Sequence, residues 1–103
     1  MSQDISTEAL IQKPGCTTAP RITPQDIDDL IKDVAYYVFQ ETLLTVCCLT
    51  LQNGFNVTGE SACASPENFN QHIGEKVAFD NARQKIWQLA GYLLKQKLYE
   101  QGI

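Results

Sequence analysis

Nowhere in the 103 residues is there a run of about 18 consecutive apolar side chains, so no membrane-crossing helix is expected. The opening stretch MSQDISTEALIQK also lacks a basic start followed by an apolar run, which argues against a secretory leader. The six glycines are scattered and form neither G-x-G-x-x-G nor a P-loop pattern, so the common phosphate-cradling loops are excluded. Basic residues are few: eight Lys and Arg stand against twelve Asp and Glu, a net charge of −4. Such a surface repels long nucleic acid and anionic membrane, although a small anionic ligand could still find a local basic pocket.

Histidine is almost absent. His72 stands alone, with no Ser or Cys motif near it in sequence to form a nucleophile and base, so catalysis is not expected. The Cys-x-x-Cys spacing of structural zinc sites is missing too. Cys63 with His72 could be imagined as part of a zinc site, but small apolar packing is the better account of the cysteines, and no metal or cofactor is expected. Cys47 and Cys48 are adjacent, and neighbours on a strand point to opposite faces. All four cysteines are therefore read as reduced, as in a cytoplasm. Asp28-Asp29 is a carboxylate pair on successive helical positions, which cannot converge on one atom and reads as solvated charge.

What is present suits one domain. Residues 1–22 are polar, contain Pro14, Gly15 and Pro20, and read as a mobile tail, leaving 23–103 as a single α+β binding domain. Thr23-Pro24-Gln25-Asp26 has the N-cap, proline and acid of a helix start. Ile27, Leu30, Ile31 and Val34 continue at helical spacing, with Lys32 late, and the helix is expected to end near Asp33. The β-branched and aromatic stretches VAYYVFQ and TLLTVCCLTLQ then favour strands. In the second, Leu44, Val46 and Cys48 share one face and Leu43, Cys47, Leu49 and Leu51 the other. A strand apolar on both faces is usually covered on both, and in so short a chain one cover could be another subunit.

Asn53-Gly54 predicts a two-residue type I′ hairpin leading into the alternating Phe55-Asn56-Val57-Thr58. Gly59 interrupts the returning strand, implying a bulge or a close approach of backbone or ligand. Ser65-Pro66-Glu67 starts a short helical turn carrying Asn68, Phe69 and Asn70, and Gly74 separates it from a long helix, Glu75 to about Glu100. That helix gathers Ala78, Ala82, Ile86, Leu89 and Leu93 on the face expected to pack on the sheet. Its flank carries Lys76, Asp80, Arg83, Trp87 and Leu94. Pattern alone favours a salt-bridged solvated flank, with Asp80 between Lys76 and Arg83. As a binding surface, the same region offers Phe69 and Trp87 to stack on a base, Lys76 and Arg83 to neutralise phosphates, and Asn81 to read a polar edge.

The sequence from Asn53 to Leu94, with Asn-Gly-Phe, Gly-Glu-Ser-Ala-Cys, Pro-Glu-Asn-Phe, Ile-Gly, Asn-Ala and Ile-Trp in that order, resembles a phage and prophage family known by gene 49 and gene 66 of its founding phages. The likeness extends upstream through TVCCLTLQ. The family so identified includes the first class of Thoeris anti-defence proteins, sponges that capture cyclic ADP-ribose isomers without cleaving them. Some members also hold cyclic oligonucleotide signals at a separate pocket, in assemblies larger than a dimer. The resemblance implies a chain that sequesters an immune messenger in the host cytoplasm. It further implies that an aromatic, an Asn and a basic residue near a subunit interface hold the ligand, matched here by Phe69, Asn81 and Arg83. Lys76 joins this set on its charge and position alone. Leu89-Ala90-Gly91-Tyr92 departs from the pattern, where an acid often precedes the glycine. A domain of about 80 residues buries only roughly 60 to 65% of its unfolded surface, so it gains from pairing and a homo-oligomer is expected. The alternative is a small phage protein that binds and modulates a host protein.

Overall fold

The computed structural model describes residues 20–102, so the expected N-terminal tail lies, up to residue 19, outside the described residues. A short helix, α1 (Pro24–Leu30), leads into three strands, β1 (Ile31–Val38), β2 (Leu44–Leu51) and β3 (Asn56–Ala62). A 3-10 turn (Pro66–Asn68) then precedes the long helix α2 (Gln71–Glu100). The strands form an antiparallel sheet in the order β1-β2-β3, with α2 across one face. This is the α+β arrangement expected from the sequence: a short N-terminal helix, a small antiparallel sheet with a central hairpin, and a long C-terminal helix packed against it.

Helix α1 begins as its residues dictate. The Thr23 hydroxyl accepts from the Asp26 N–H while the Asp26 carboxylate accepts from the Thr23 N–H, a reciprocal cap. Its end is earlier than expected. Ile31 is extended rather than helical, and Lys32 and Asp33 lie in β1. Tertiary pairing overrides the helical spacing of Ile31 and Val34, because both are β-branched and find partners in Leu51 and Leu49 of β2. Gln52 fastens the junction: its N–H donates to the Leu30 carbonyl, and its side-chain amide donates to the Asp29 carbonyl at 3.3 Å.

The second hairpin, β2 to β3, stands where expected but turns differently. Its connection runs from Gln52 to Phe55, the Gly54 N–H donates to Leu51 O, and Gly54 alone takes a positive φ, of 91°. A type I′ turn needs positive φ at both central residues. Here the turn closed by Leu51 and Gly54 ends in a left-handed glycine, as in three-residue hairpin loops, and the Asn53 carboxamide oxygen accepts from the Phe55 N–H.

The core lies between α2 and one face of the sheet, where Ile27, Cys47, Leu49, Ala78, Ala82 and Ile86 are fully buried and Leu51 and Val57 nearly so. Alternation along β2 puts Thr45, Cys47, Leu49 and Leu51 beneath the helix and Leu44, Val46, Cys48 and Thr50 on the other side, where they are only half-buried. Gly59 resolves as a close approach rather than a bulge. It pairs in register with Cys47, and a Cβ there would fall 2.2 Å from the Ala82 nitrogen and 2.4 Å from the Ala78 carbonyl oxygen. The two helix alanines and the strand glycine thus let two backbones touch.

Helix α2 starts one turn earlier than its expected boundary, with Gly74 inside it, because Asn70 caps it: the Asn70 carboxamide oxygen accepts from the His72 and Ile73 N–H groups. With 30 residues at 1.5 Å each the helix spans about 45 Å, whereas eight-residue strands span about 25 Å, so its C-terminal turns extend past the sheet. This explains why Leu93, on the expected packing face, is 63% exposed while Ala78, Ala82 and Ile86 are covered.

Candidate functional site

The segment between β3 and α2 builds a cleft at one end of the sheet. Cys63 N–H still donates to Leu43 O, continuing the ladder, and the Cys63 thiol donates to the Ser65 carbonyl at 3.1 Å. Pro66 then sets the 3-10 turn, closed by the Phe69 N–H donating to the Pro66 carbonyl, and Ser65 Oγ donates to the Glu67 carboxylate. That hydroxyl bond is the main reason the Glu67 carboxyl is held below its ordinary range. Phe69 is thereby pointed at the first turn of α2. Together Leu43, Ser61, Cys63, Phe69, Asn70 and Ile73 line a cleft of about 180 Å³.

The four residues singled out from the sequence take different places around this frame. Phe69 lines the cleft. Lys76 stands one turn further along α2, its side chain 74% exposed, with Nζ 3.0 Å from the Asp80 carboxylate. Asn81 projects from the opposite flank, where its Nδ2 donates to the Glu60 carbonyl of β3 at 2.8 Å. Arg83 is only 12% exposed: Nε lies 2.9 Å from the Asp28 carboxylate and one terminal nitrogen donates to the Pro24 carbonyl at 3.1 Å. Within one chain, then, the cleft gathers Phe69, while Asn81 and Arg83 tie α2 to β3 and to α1. At 100° per residue, positions 81 and 83 cannot share a helix face.

The flank expected to be solvated is therefore half a clamp. Lys76 and Asp80 form the expected surface pair, but Arg83 reaches across to α1, and Asp28, read as free charge, is its partner. Trp87 is half-buried against the core rather than presented flat, with its indole nitrogen buried and without a hydrogen-bond partner among the described residues. Arg83→Ala should lower stability by about 1 to 2 kcal/mol in urea unfolding, since a bond to a charged group is lost while its partner, Asp28, stays half in water. Arg83→Lys should restore only part of this, because an ammonium cannot serve both acceptors in the same fork geometry.

Two residues of the cleft escaped the sequence reading. Asn70 was placed on the surface of the turn, although Asn followed by an apolar-periodic helix is a cap signal; Gly74 concealed it by looking like a boundary. Cys63 was read as small apolar packing, with a zinc site as the lesser account, and not as part of a cleft wall. Among the described residues no group of three or more His, Cys, Asp or Glu side chains converges, and Cys47, Cys48 and Cys63 are free thiols. Burial pushes the Cys47 thiol up to about 11, helped by the charges of Cys48 and Glu75, so it is a poor nucleophile at neutral pH.

A second cleft, lined by Leu51, Asn53, Phe55, Leu89, Tyr92 and Leu93, lies under the overhanging end of α2 and offers no cationic group to an anion.

A short helix, a three-stranded antiparallel sheet and a single long covering helix define a small α+β protein with no membrane-length apolar helix among its described residues. Residues 22–98 match the phage protein (N4 Gp49/phage Sf6 gene 66) family, and the chain belongs to that family. No curated protein and no solved structure gave a significant match.

Proposed function

We propose that this phage protein is an anti-defence sponge: it binds a cyclic nucleotide-type signal, foremost an isomer of cyclic ADP-ribose, and withholds it without chemistry in the host cytoplasm. The observation that carries this reading is the cleft where Phe69 meets the N-terminal turn of α2, because it lies within the segment that bears the sponge-like motifs. An aromatic beside the polar side chains of Ser61 and Asn70 suits a nucleobase and its polar edge. Phe69 stacks on the base and Lys76 supplies charge. Asn81 and Arg83 act by fixing α2 on β3 and α1.

The cleft is smaller than the roughly 300 Å³ at which small-molecule sites usually begin, so a bound ligand would extend beyond it across the neighbouring surface. The same reading makes the protein a homo-oligomer. The absence of a convergent nucleophile and base among the described residues is compatible with storage rather than turnover, which the recovered ligand decides.

The test is a thermal-shift panel of cyclic ADP-ribose isomers and cyclic di- and trinucleotides, since a ligand selective for the folded state raises its melting temperature. At least one should do so and be recovered unchanged after denaturation. Phe69→Ala should weaken that ligand by roughly ten- to hundredfold, the worth of one stacked base, with the unliganded melting temperature nearly unmoved. If no member of the panel shifts the protein, or the ligand returns altered, the sponge reading is wrong. A second reading, docking on and modulating a host protein, is favoured by the uncovered sheet face around Tyr37, Val46 and Cys48. A host protein retained by the parent but not by Val46→Lys, with no ligand in the panel bound, would decide for it.

A further inference from the structure

Strand β1 is the least covered element of the sheet. Helix α2 packs on β2 and β3 and barely reaches β1, which leaves Val34 and Tyr36 43% and 40% exposed on that face, while Tyr37 and Phe39, on the face away from α2, are 60% and 46% exposed. No described strand pairs with its outer edge. An antiparallel ladder alternates bonded and non-bonded residue pairs, and the Phe39 N–H bonds Leu44 O at the hairpin end. Counting back through the register, Tyr37 and Ala35 turn their backbone groups toward β2, whereas Val34, Tyr36 and Val38 turn theirs outward. The opposite edge differs. There the outward carbonyl of Glu60 is already occupied by the Asn81 side chain from α2.

We propose that β1 pairs antiparallel with β1 of a second copy of this chain, in the register that places Tyr36 opposite its own twin. This names the surface for the self-association proposed above and rests on it. The occupant is a second copy because three outward positions spaced by two, Val34, Tyr36 and Val38, map onto themselves under a two-fold axis through Tyr36. Val34 then bonds Val38 of the other copy, Tyr36 bonds Tyr36, and Val38 bonds Val34; any shifted register matches fewer outward groups. Irregular pairing between Ile31 and Asp33, with the charged Lys32, ends the usable edge on one side. With aromatic side chains at about 150 to 250 Å², the exposed parts of the four residues come to roughly 300 to 400 Å² per chain. Adding the strand backbones brings the pair near the about 1,000 Å² that a specific interface needs. The joined strands form one continuous six-stranded sheet, with both α2 helices on the same face and set apart by the two β1 strands.

Charge placement and cross-linking test this register in the full chain. Light scattering at micromolar concentration should give about twice the 11.5 kDa chain mass for the parent. Val34→Lys with Val38→Lys sets like charges opposite each other twice and should weaken pairing roughly tenfold or more, whereas Val34→Lys with Val38→Glu pairs opposite charges at the same sites and should restore it. Tyr36→Cys should form a disulfide-linked dimer under mild oxidation, well above the parent with its native thiols, because the twin Cα atoms would lie about 5.5 Å apart. Tyr37→Cys should not, its twin lying on the diagonal at about 7 to 8 Å. A parent that stays monomeric overturns this interface together with the assembly. A dimer that persists in the double-lysine variant, or equal cross-linking at both positions, overturns this interface alone.

Discussion

Gly59→Ala should be among the most damaging single substitutions in the chain, costing about 3 kcal/mol or more and lowering the melting temperature by over roughly 10 °C in calorimetry. A new methyl group at this site meets backbone, not a flexible side chain: the added carbon would lie 2.2 Å from the Ala82 nitrogen and 2.8 Å from its Cα. Neither strand nor helix can yield separately, because Gly59 is in register with Cys47 in the middle of the ladder and Ala78 and Ala82 are fully buried in the middle of a packed helix. Relief requires α2 to lift off the sheet, which also opens contacts around Ile86 and Leu49. Gly91→Ala is the natural control, since nothing lies within 4 Å of a Cβ there and alanine favours the helix. If Gly59→Ala melts like the parent, the close strand-helix packing described here is wrong.

Leu49→Ala should cost about 2 to 5 kcal/mol in urea unfolding, with Val46→Ala below about 1.5 kcal/mol. Leu49 has no exposed surface and sits on the central strand under α2, between Val34 and Val57 on the flanking strands. Removing its branched end leaves a cavity whose walls are backbone-constrained and cannot collapse fully. Val46 lies on the other face of the same strand, half-buried and paired with Tyr37 and Glu60. Truncating it removes surface that is partly wet already. Equal costs at the two positions would mean that the second face is as thoroughly covered as the first.

The legibility of the fold varied with the kind of signal. Thr23-Pro24-Gln25-Asp26 was readable because its cap is made by residues three apart, with no help from the rest of the chain. The alternation of Cys47, Leu49 and Leu51 likewise announced a buried face. Ile31 and Val34 were misleading for the converse reason: their spacing fits a helix and their branching fits a strand, and only pairing with β2 decides between them. Gly59 carried a real signal whose meaning, bend or close approach, depended on Ala78 and Ala82 lying across from it. For the site, Phe69 proved to line a cleft. Arg83 could not be placed, because its anchor Asp28 lies 55 residues earlier in the chain.

What the sequence determined by itself was local or compositional: the Thr23 cap, the position of the hairpin at Asn53-Gly54, the apolar face of the long helix, the acid excess, and the motif order that marks the family. What only the tertiary structure decided was every relation across the sheet. It set which face of β2 is sealed, which edge is left open, and whether a basic side chain serves as a free charge or as a clamp. The physical reason is that local bonds are encoded within a few residues, whereas burial depends on what the folded chain lays over each side chain.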